Sequence, residues 1–217
     1  MKQAVIVTGG TMDLKFALSY IHEQKPDILG AVDSGMEFFF KAGQKPHVIV
    51  GDFDSVKQDT LAFFKGQQRI DWVELVPEKD DTDTEAAIRE MIRRECEKIH
   101  ILGATGSRLD HVLSNIGLLG IGLSEGIEIL MVDPSNRIRM TDKGISIRRE
   151  EQFGDYVSLL PFTPKVTGLT LKGMKYPLLD YEYACFSSLG ISNEIVEDEA
   201  EISFTEGVLL VIESRDR

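Results

Sequence analysis

His47-Val-Ile-Val-Gly51-Asp52-Phe53-Asp54-Ser55 is an apolar, β-branched run that stops at a glycine and continues into two aspartates spaced two residues apart. Such a run, bounded by turn residues, reads as a short strand buried on both faces. Runs of the same texture recur upstream and downstream, at Ala4 to Thr8, Ile28 to Val32, Trp72 to Val76, Ile99 to Leu102 and Ile127 to Val132. Between them lie stretches with helical spacing, such as Ile88, Met91, Ile92 and Cys96, or Leu109, Val112, Leu113 and Ile116. Strands alternating with helices predict a mostly parallel sheet with helices on both faces, an α/β/α sandwich.

Past Asp133-Pro134 the texture changes. The segments RIRMT, ISIRR, YVSLLP, VTGLTLKG, AEISF and GVLLVIES are short, β-rich and separated by turn residues. They predict a smaller antiparallel β-sandwich or barrel lobe, with the division at residues 1–135 and 136–217. About 80 residues is close to the lower size for an independent domain, so this lobe is expected to lean on the first or on a partner chain.

The strand-end aspartates carry the first chemical signal. If strand period continued past Gly51, Asp52 and Asp54 would project to one side. Strand carboxyl ends line the ligand crevice of open α/β sheets, and two acids converging there suit a hard cation such as Mg²⁺. A plain turn is the competing reading, because Gly, Asp and Ser are also turn and cap residues. A second acidic stretch, Glu78-Lys79-Asp80-Asp81-Thr82-Asp83-Thr84-Glu85, opens the helix containing Ile88. Thr82 and Glu85 there fit a capping box, which needs no function. The third signal is Gly103-Ala-Thr105-Gly106-Ser107-Arg108-Leu109-Asp110-His111, with Asn115 one turn further on. Strand, glycine-bearing loop and helix start together make an anion site, and Arg108 adds a fork matching phosphate oxygens. Gly9-Gly10 and Asp33-Ser34-Gly35 follow the first two strands, where a nucleotide could approach the backbone closely.

Several classes are excluded. With 24 Lys+Arg against 36 Asp+Glu in 217 residues, the formal net charge is −12, which does not suit a nucleic-acid binder that must track phosphates with basic stripes. The apolar stretch Ile116 to Leu123 is broken by three glycines and far short of the roughly 20 residues a bilayer demands. Cys96 and Cys185 show neither zinc nor disulfide spacing. They and the short apolar run before Gly9 fit a cytoplasmic protein without a secretion signal. No Walker A or dinucleotide-binding glycine pattern occurs.

Taken in order, Asp33-x-Gly35, Gly51-Asp-Phe-Asp-Ser55, Lys79-Asp-x-Thr-Asp83, Gly103-x-x-Gly-x-Arg-x-Asp-His-x-x-x-Asn115 and Ser192-Asn-Glu194 resemble the thiamine pyrophosphokinase family across nearly the whole chain. Ser107 stands where that family commonly has a second glycine, and Asp33-Ser34-Gly35 replaces a more usual Asp-Gly-Gly. The resemblance implies transfer of the pyrophosphoryl group of MgATP to the hydroxyl of thiamine, giving thiamine diphosphate and AMP. It implies Mg²⁺ ligation by Asp52, Asp54, Asp80 and Asp110, with those acids and Arg108 as the catalytic set. It further implies ATP contacts from Gly9, Gly10, Asp33, Ser55, Thr82, Asp83, Thr105, Gly106, Arg108, His111 and Asn115. Tyr176, Ser192 and Asn193 would line a thiamine site at the interface of a homodimer. Two rival readings remain: a haloacid-dehalogenase-like phosphatase, which also opens on a strand and D-x-D but calls for a later lysine motif not found here, and a non-catalytic nucleotide or thiamine sensor, against which the intact acids argue.

Overall fold

The computed structural model describes residues 1–76, 81–106 and 108–216. By internal contacts the chain divides into two compact units, Met1–Pro134 and Ser135–Arg217.

In the first unit the apolar runs become six parallel strands: β1 (Gln3–Val7), β2 (Ile28–Val32), β3 (Val48–Gly51), β4 (Asp71–Glu74), β5 (Lys98–Leu102) and β6 (Glu128–Val132). Their order is β4-β3-β2-β1-β5-β6. The register sets Ala4 beside Ile28 on one flank of β1 and beside Ile99 on the other. Ala4, Val5, Ile6 and Val7 are all fully buried, and burying a side chain the size of Ile6 contributes about 1.5–3 kcal/mol. Connecting helices are α1 (Leu14–Gln24), α2 (Met36–Ala42), α3 (Gln58–Lys65), α4 (Asp83–Arg93), α5 (Leu109–Leu118) and α6 (Gly120–Glu125). Asp13 caps α1 by accepting from the Phe16 N–H at 2.8 Å, satisfying one of the orphan donors of the first turn. α4 buries Ala87, Ile88 and Met91 and packs on β2 and β3.

The strand order decides where a ligand can sit. The chain steps from β1 through β2 and β3 to β4, then returns to place β5 on the opposite flank of β1. The loops after β1 and β5 therefore diverge at a topological switch point, the usual ligand crevice of an open parallel sheet.

The second unit is antiparallel: β7 (Asn136–Thr141), β8 (Ile145–Arg148), β9 (Tyr156–Pro161), β10 (Lys165–Lys172), β11 (Leu178–Ala184), β12 (Glu199–Ser203) and β13 (Leu209–Ser214). β13 pairs with both β7 and β9, while β11-β10-β12-β8 forms a four-stranded sheet. Alternate residues of both groups, among them Val157, Leu159, Leu169, Ile202 and Val211, meet in one core, as expected of stacked sheets. Fully buried Glu213 on β13 is held by Arg137 at 2.6 Å, by Arg139 and by the Phe153 N–H at 3.0 Å. Burial alone would raise its carboxyl, but these donors hold it below the usual carboxylate range.

Candidate active site

A cavity of about 680 Å³ opens at the carboxyl ends of the parallel strands in the first unit. Its floor is made by close packing that only glycine permits. A Cβ on Gly10 would lie 2.1 Å from the Gly103 carbonyl oxygen, and one on Gly9 would lie 1.9 Å from the Ser34 hydroxyl. The β1 loop thus lies flat between the β2 and β5 loops, with its backbone exposed to the cavity. Gly103 itself is left-handed, at φ 73°.

On one side are the acids. β3 stops at Gly51, and Phe53 is left-handed at φ 66°. The expectation that strand period aligns Asp52 and Asp54 is therefore corrected: a tight turn brings them together, with the Asp54 N–H donating to Asp52 Oδ1 at 3.2 Å. A Cβ on Gly51 would sit only 3.2 Å from the Asp33 backbone, and this close approach brings Asp33 alongside. Carboxylate oxygens of Asp33, Asp52 and Asp54 all lie within 4.8 Å of one another, a set able to hold one cation.

Asp33 supplies the strongest local argument for that cation. It is left-handed at φ 47°, and Ser55 donates its hydroxyl to Oδ2. Oδ1 is buried and has no hydrogen-bond partner among the described residues. Burial pushes the Asp33 carboxyl above its ordinary value, opposed by Ser55 and the Ser34 N–H and reinforced by the charges of Asp83 and Asp52. A divalent ion would satisfy the orphaned oxygen and neutralise the cluster.

Thr82 and Asp83 line the same cavity from the start of α4. Thr82 is the N-cap, accepting from the Glu85 N–H at 3.2 Å. The capping box is only half formed, since Glu85 turns outward to Arg89 at 2.7 Å. Asp80 lies outside the described residues.

On the opposite side stand Gly106, Arg108, His111 and Asn115. Asn115 is buried and donates to the Ala104 carbonyl at 3.0 Å, tying the β5 loop to α5. Thr105 is not among the lining residues; its carbonyl packs against Gly10. Arg108 pairs with Asp110 at 2.5 Å, both side chains about two-thirds exposed. The Arg108 guanidinium and the His111 N–H hold the Asp110 carboxyl down at about 2. Asp110 is not one of the three clustered acids; it is the exposed counter-ion of an arginine that lines the cavity.

In the second unit Asn193 is buried and its side chain is fully engaged. Oδ1 accepts from Tyr176 N at 3.0 Å and Glu194 N at 2.9 Å, while Nδ2 donates to Tyr176 O at 2.9 Å. This amide holds the turn that presents Tyr176, whose ring is exposed. Ser192 is left-handed at φ 56°, and its N–H donates to Ser158 Oγ at 2.9 Å.

Sequence reasoning did not find the switch point, nor Asp33 as an acid of the cation cluster; the strand order and two left-handed turns create both. The glycine pair after β1 was the available signal for the first.

Comparison with known proteins agrees along the whole chain. A family model described as thiamin pyrophosphokinase, catalytic domain, matches residues 20–131, and one described as thiamin pyrophosphokinase, vitamin B1 binding domain, matches residues 143–209. A thiamine pyrophosphokinase of Bacillus subtilis (strain 168) is 34% identical over 217 residues, covering 100% of both chains. A crystal structure of thiamine pyrophosphokinase from Bacillus subtilis superposes with a TM-score of 0.89 at 31% identity, covering 100% of each chain. One of thiamin pyrophosphokinase from Geobacillus thermodenitrificans gives 0.84 at 30% identity, covering 99% of this chain and 98% of the other. On its motifs, its two-lobe fold and these matches, the chain belongs to the thiamine pyrophosphokinase family.

Proposed function

We propose that the protein transfers the pyrophosphoryl group of MgATP to thiamine. The thiamine hydroxyl oxygen forms a bond to the β-phosphorus, the bond from that phosphorus to the α,β-bridging oxygen breaks, and AMP leaves as the hydroxyl proton is released. The observation that carries this reading is that acids able to hold a cation and an arginine able to hold phosphate face one cavity, across a floor of exposed glycine backbone. Neither side suffices alone: the acids would repel a triphosphate, and Arg108 is a single charge.

Asp33, Asp52 and Asp54, with Asp80 from the segment before α4, would hold Mg²⁺, which when bound neutralises charge on the triphosphate. The backbone at Gly9, Gly10 and Gly106, together with Thr82 and Ser55, would position the phosphate oxygens in line with the incoming hydroxyl. Arg108 would exchange Asp110 for phosphate, a substitution its exposure permits.

We place ATP and the metal on residues 1–135 and thiamine on residues 136–217, in a cytoplasmic homodimer whose thiamine site joins the first unit of one copy to the second unit of the other. Uncovered apolar side chains support this: Leu109 and Leu113 are about 70% exposed on α5 beside Arg108, and Leu179 and Phe186 are exposed in the second unit. Tyr176 would face the thiamine rings, held there by Asn193. Incubation with MgATP and thiamine tests the reading: AMP must appear one-for-one with thiamine diphosphate, whereas inorganic phosphate without AMP would indicate a phosphatase.

A further inference from the structure

The turn that carries Asp52 and Asp54 runs from the end of β3 to the start of α3, and little of it is buried. Asp54 and Ser55 are exposed, while Phe53 and Val56 reach the core. Three contacts fix it. Phe53 lies edge-on against Trp72, with 5.3 Å between ring centroids. Ser55 donates its hydroxyl to Asp33 Oδ2. The third contact is at Lys57, the N-cap of α3, whose side chain caps no N–H. Glu37, in the first turn of α2 and four residues after Asp33, supplies the missing acceptor. Its carboxylate accepts from the Lys57 N–H and the Thr60 hydroxyl, and its Oε2 lies 3.4 Å from the Lys57 ammonium. Thr60 is buried at the third position of α3, so Glu37 does from another helix what an acid at that position does in a capping box.

We propose that Glu37 is a positioning residue for the cation site: it clamps the far end of the acid turn to the helix that follows Asp33, and so fixes where Asp54 stands relative to Asp33 and Asp52. This rests on the reading above, in which those acids hold Mg²⁺. Asp33 and Glu37 lie one turn apart, on a 3-10 turn that runs straight into α2. They take Ser55 and Lys57, two residues apart, so one element grips the acid turn at two successive points just beyond Asp54. Glu37 is not one of the clustered acids and acts through the turn rather than on the cation. The Lys57 side chain is 72% exposed, so its ion pair contributes little, and the hydrogen bonds to the Lys57 N–H and Thr60 carry the clamp. Burial alone would raise the Glu37 carboxyl, yet Thr60 and Lys57 hold it below the usual carboxylate range, so it remains an acceptor at neutral pH. Oε1 is buried with no hydrogen-bond partner among the described residues. That half-satisfied carboxylate costs the fold stability, as groups kept for a site do.

Glu37→Ala, Glu37→Gln and Lys57→Ala test the assignment. Amide hydrogen exchange is followed at Lys57 in the metal-free protein, and Mg²⁺ affinity is measured by calorimetry with MgCl₂, well below the melting temperature. In Glu37→Ala the Lys57 amide should lose its protection and Mg²⁺ affinity should weaken about tenfold, with KM for thiamine held within about twofold. Glu37→Gln keeps an acceptor oxygen, and should restore protection at Lys57 and bring Mg²⁺ affinity to within about threefold of the parent. Lys57→Ala removes the ammonium but keeps the N–H, and should leave Mg²⁺ affinity within about twofold. Parental Mg²⁺ affinity in Glu37→Ala, even with a lowered melting temperature, would reduce Glu37 to a contact between helices and overturn the proposal. A Glu37→Gln or Lys57→Ala variant as weak as Glu37→Ala would overturn it too, by making charge the cause. Should Glu37→Ala not fold, Thr60→Val removes one of the donors while keeping its shape: Mg²⁺ affinity weakened about threefold supports the clamp, and unchanged affinity contradicts it. If the unaltered protein binds Mg²⁺ and forms AMP while Glu37→Ala does both equally well, only the clamp falls. If the unaltered protein binds no Mg²⁺, the functional reading falls with it.

Discussion

Ser55 donates its hydroxyl to one oxygen of Asp33, 22 residues away, while the other Asp33 oxygen is buried with no hydrogen-bond partner among the described residues. One carboxylate is thus aimed and half satisfied by the protein, leaving an oxygen whose desolvation calls for a cation.

The first prediction follows from that imbalance. Mg²⁺ should raise the melting temperature of the protein, with a free-energy gain of about 2.7 kcal/mol at a hundred times its Kd. Asp33→Asn should abolish the Mg²⁺-dependent shift and reduce turnover at least about 100-fold. Without metal the variant should melt no lower than the parent, because it lacks a desolvated charge. Differential scanning calorimetry with and without chelator measures each. An undiminished Mg²⁺ shift in the variant would remove Asp33 from the cation site.

Arg108 should behave differently. Its pairing with Asp110 is between two exposed groups, and such pairs contribute little to folding. Arg108→Ala should therefore leave the melting temperature in place while lowering kcat/KM for MgATP by about 10²–10³. Arg108→Lys should recover little, because a point charge does not replace a bidentate fork. Full activity in the lysine variant would reduce Arg108 to a general charge effect.

Asn193 separates positioning from contact. Asn193→Ala leaves two N–H groups and the Tyr176 carbonyl without their partner and should cost about 1–3 kcal/mol. Because the turn carrying Tyr176 is loosened, KM for thiamine should rise about tenfold or more while KM for MgATP holds. Equal effects on both substrates would place the defect in general folding.

Glu213 gives a pH signature. Its folded-state carboxyl lies below the unfolded value, so its contribution to stability is present above the unfolded pKa, about 4.5, and is lost as pH falls through the folded value. Stability should decline below about pH 4.5, and Glu213→Gln should flatten that decline while costing stability at pH 7. Arg137→Ala should cost about 3–5 kcal/mol, since it strips the buried carboxylate of a bidentate partner. Urea titrations across pH 3–7 test this.

Local chemistry explains which features were legible in the sequence. The β-branched runs and the Thr82 cap depend on neighbours a few residues away, and they form close to where the pattern puts them. Asp33 was legible only as a residue near a nucleotide. Its place beside Asp52 and Asp54 depends on the left-handed turns at Asp33 and Phe53, and on Gly51 admitting a neighbouring backbone, none of which strand periodicity encodes. The pairing of Arg108 with Asp110, two residues on, depends on how the β5 loop enters α5, which the spacing alone does not encode. The buried Asn193 amide that holds the turn at Tyr176 depends on a contact 17 residues away in sequence, which no local pattern encodes.

The central claim is attack at the β-phosphorus. Reaction of thiamine with ATP carrying ³²P only in the β-position tests it most directly. The account predicts that all transferred label appears in thiamine diphosphate and none in AMP. Thiamine monophosphate without label, accompanied by labelled ADP, would show attack at the γ-phosphorus and contradict it.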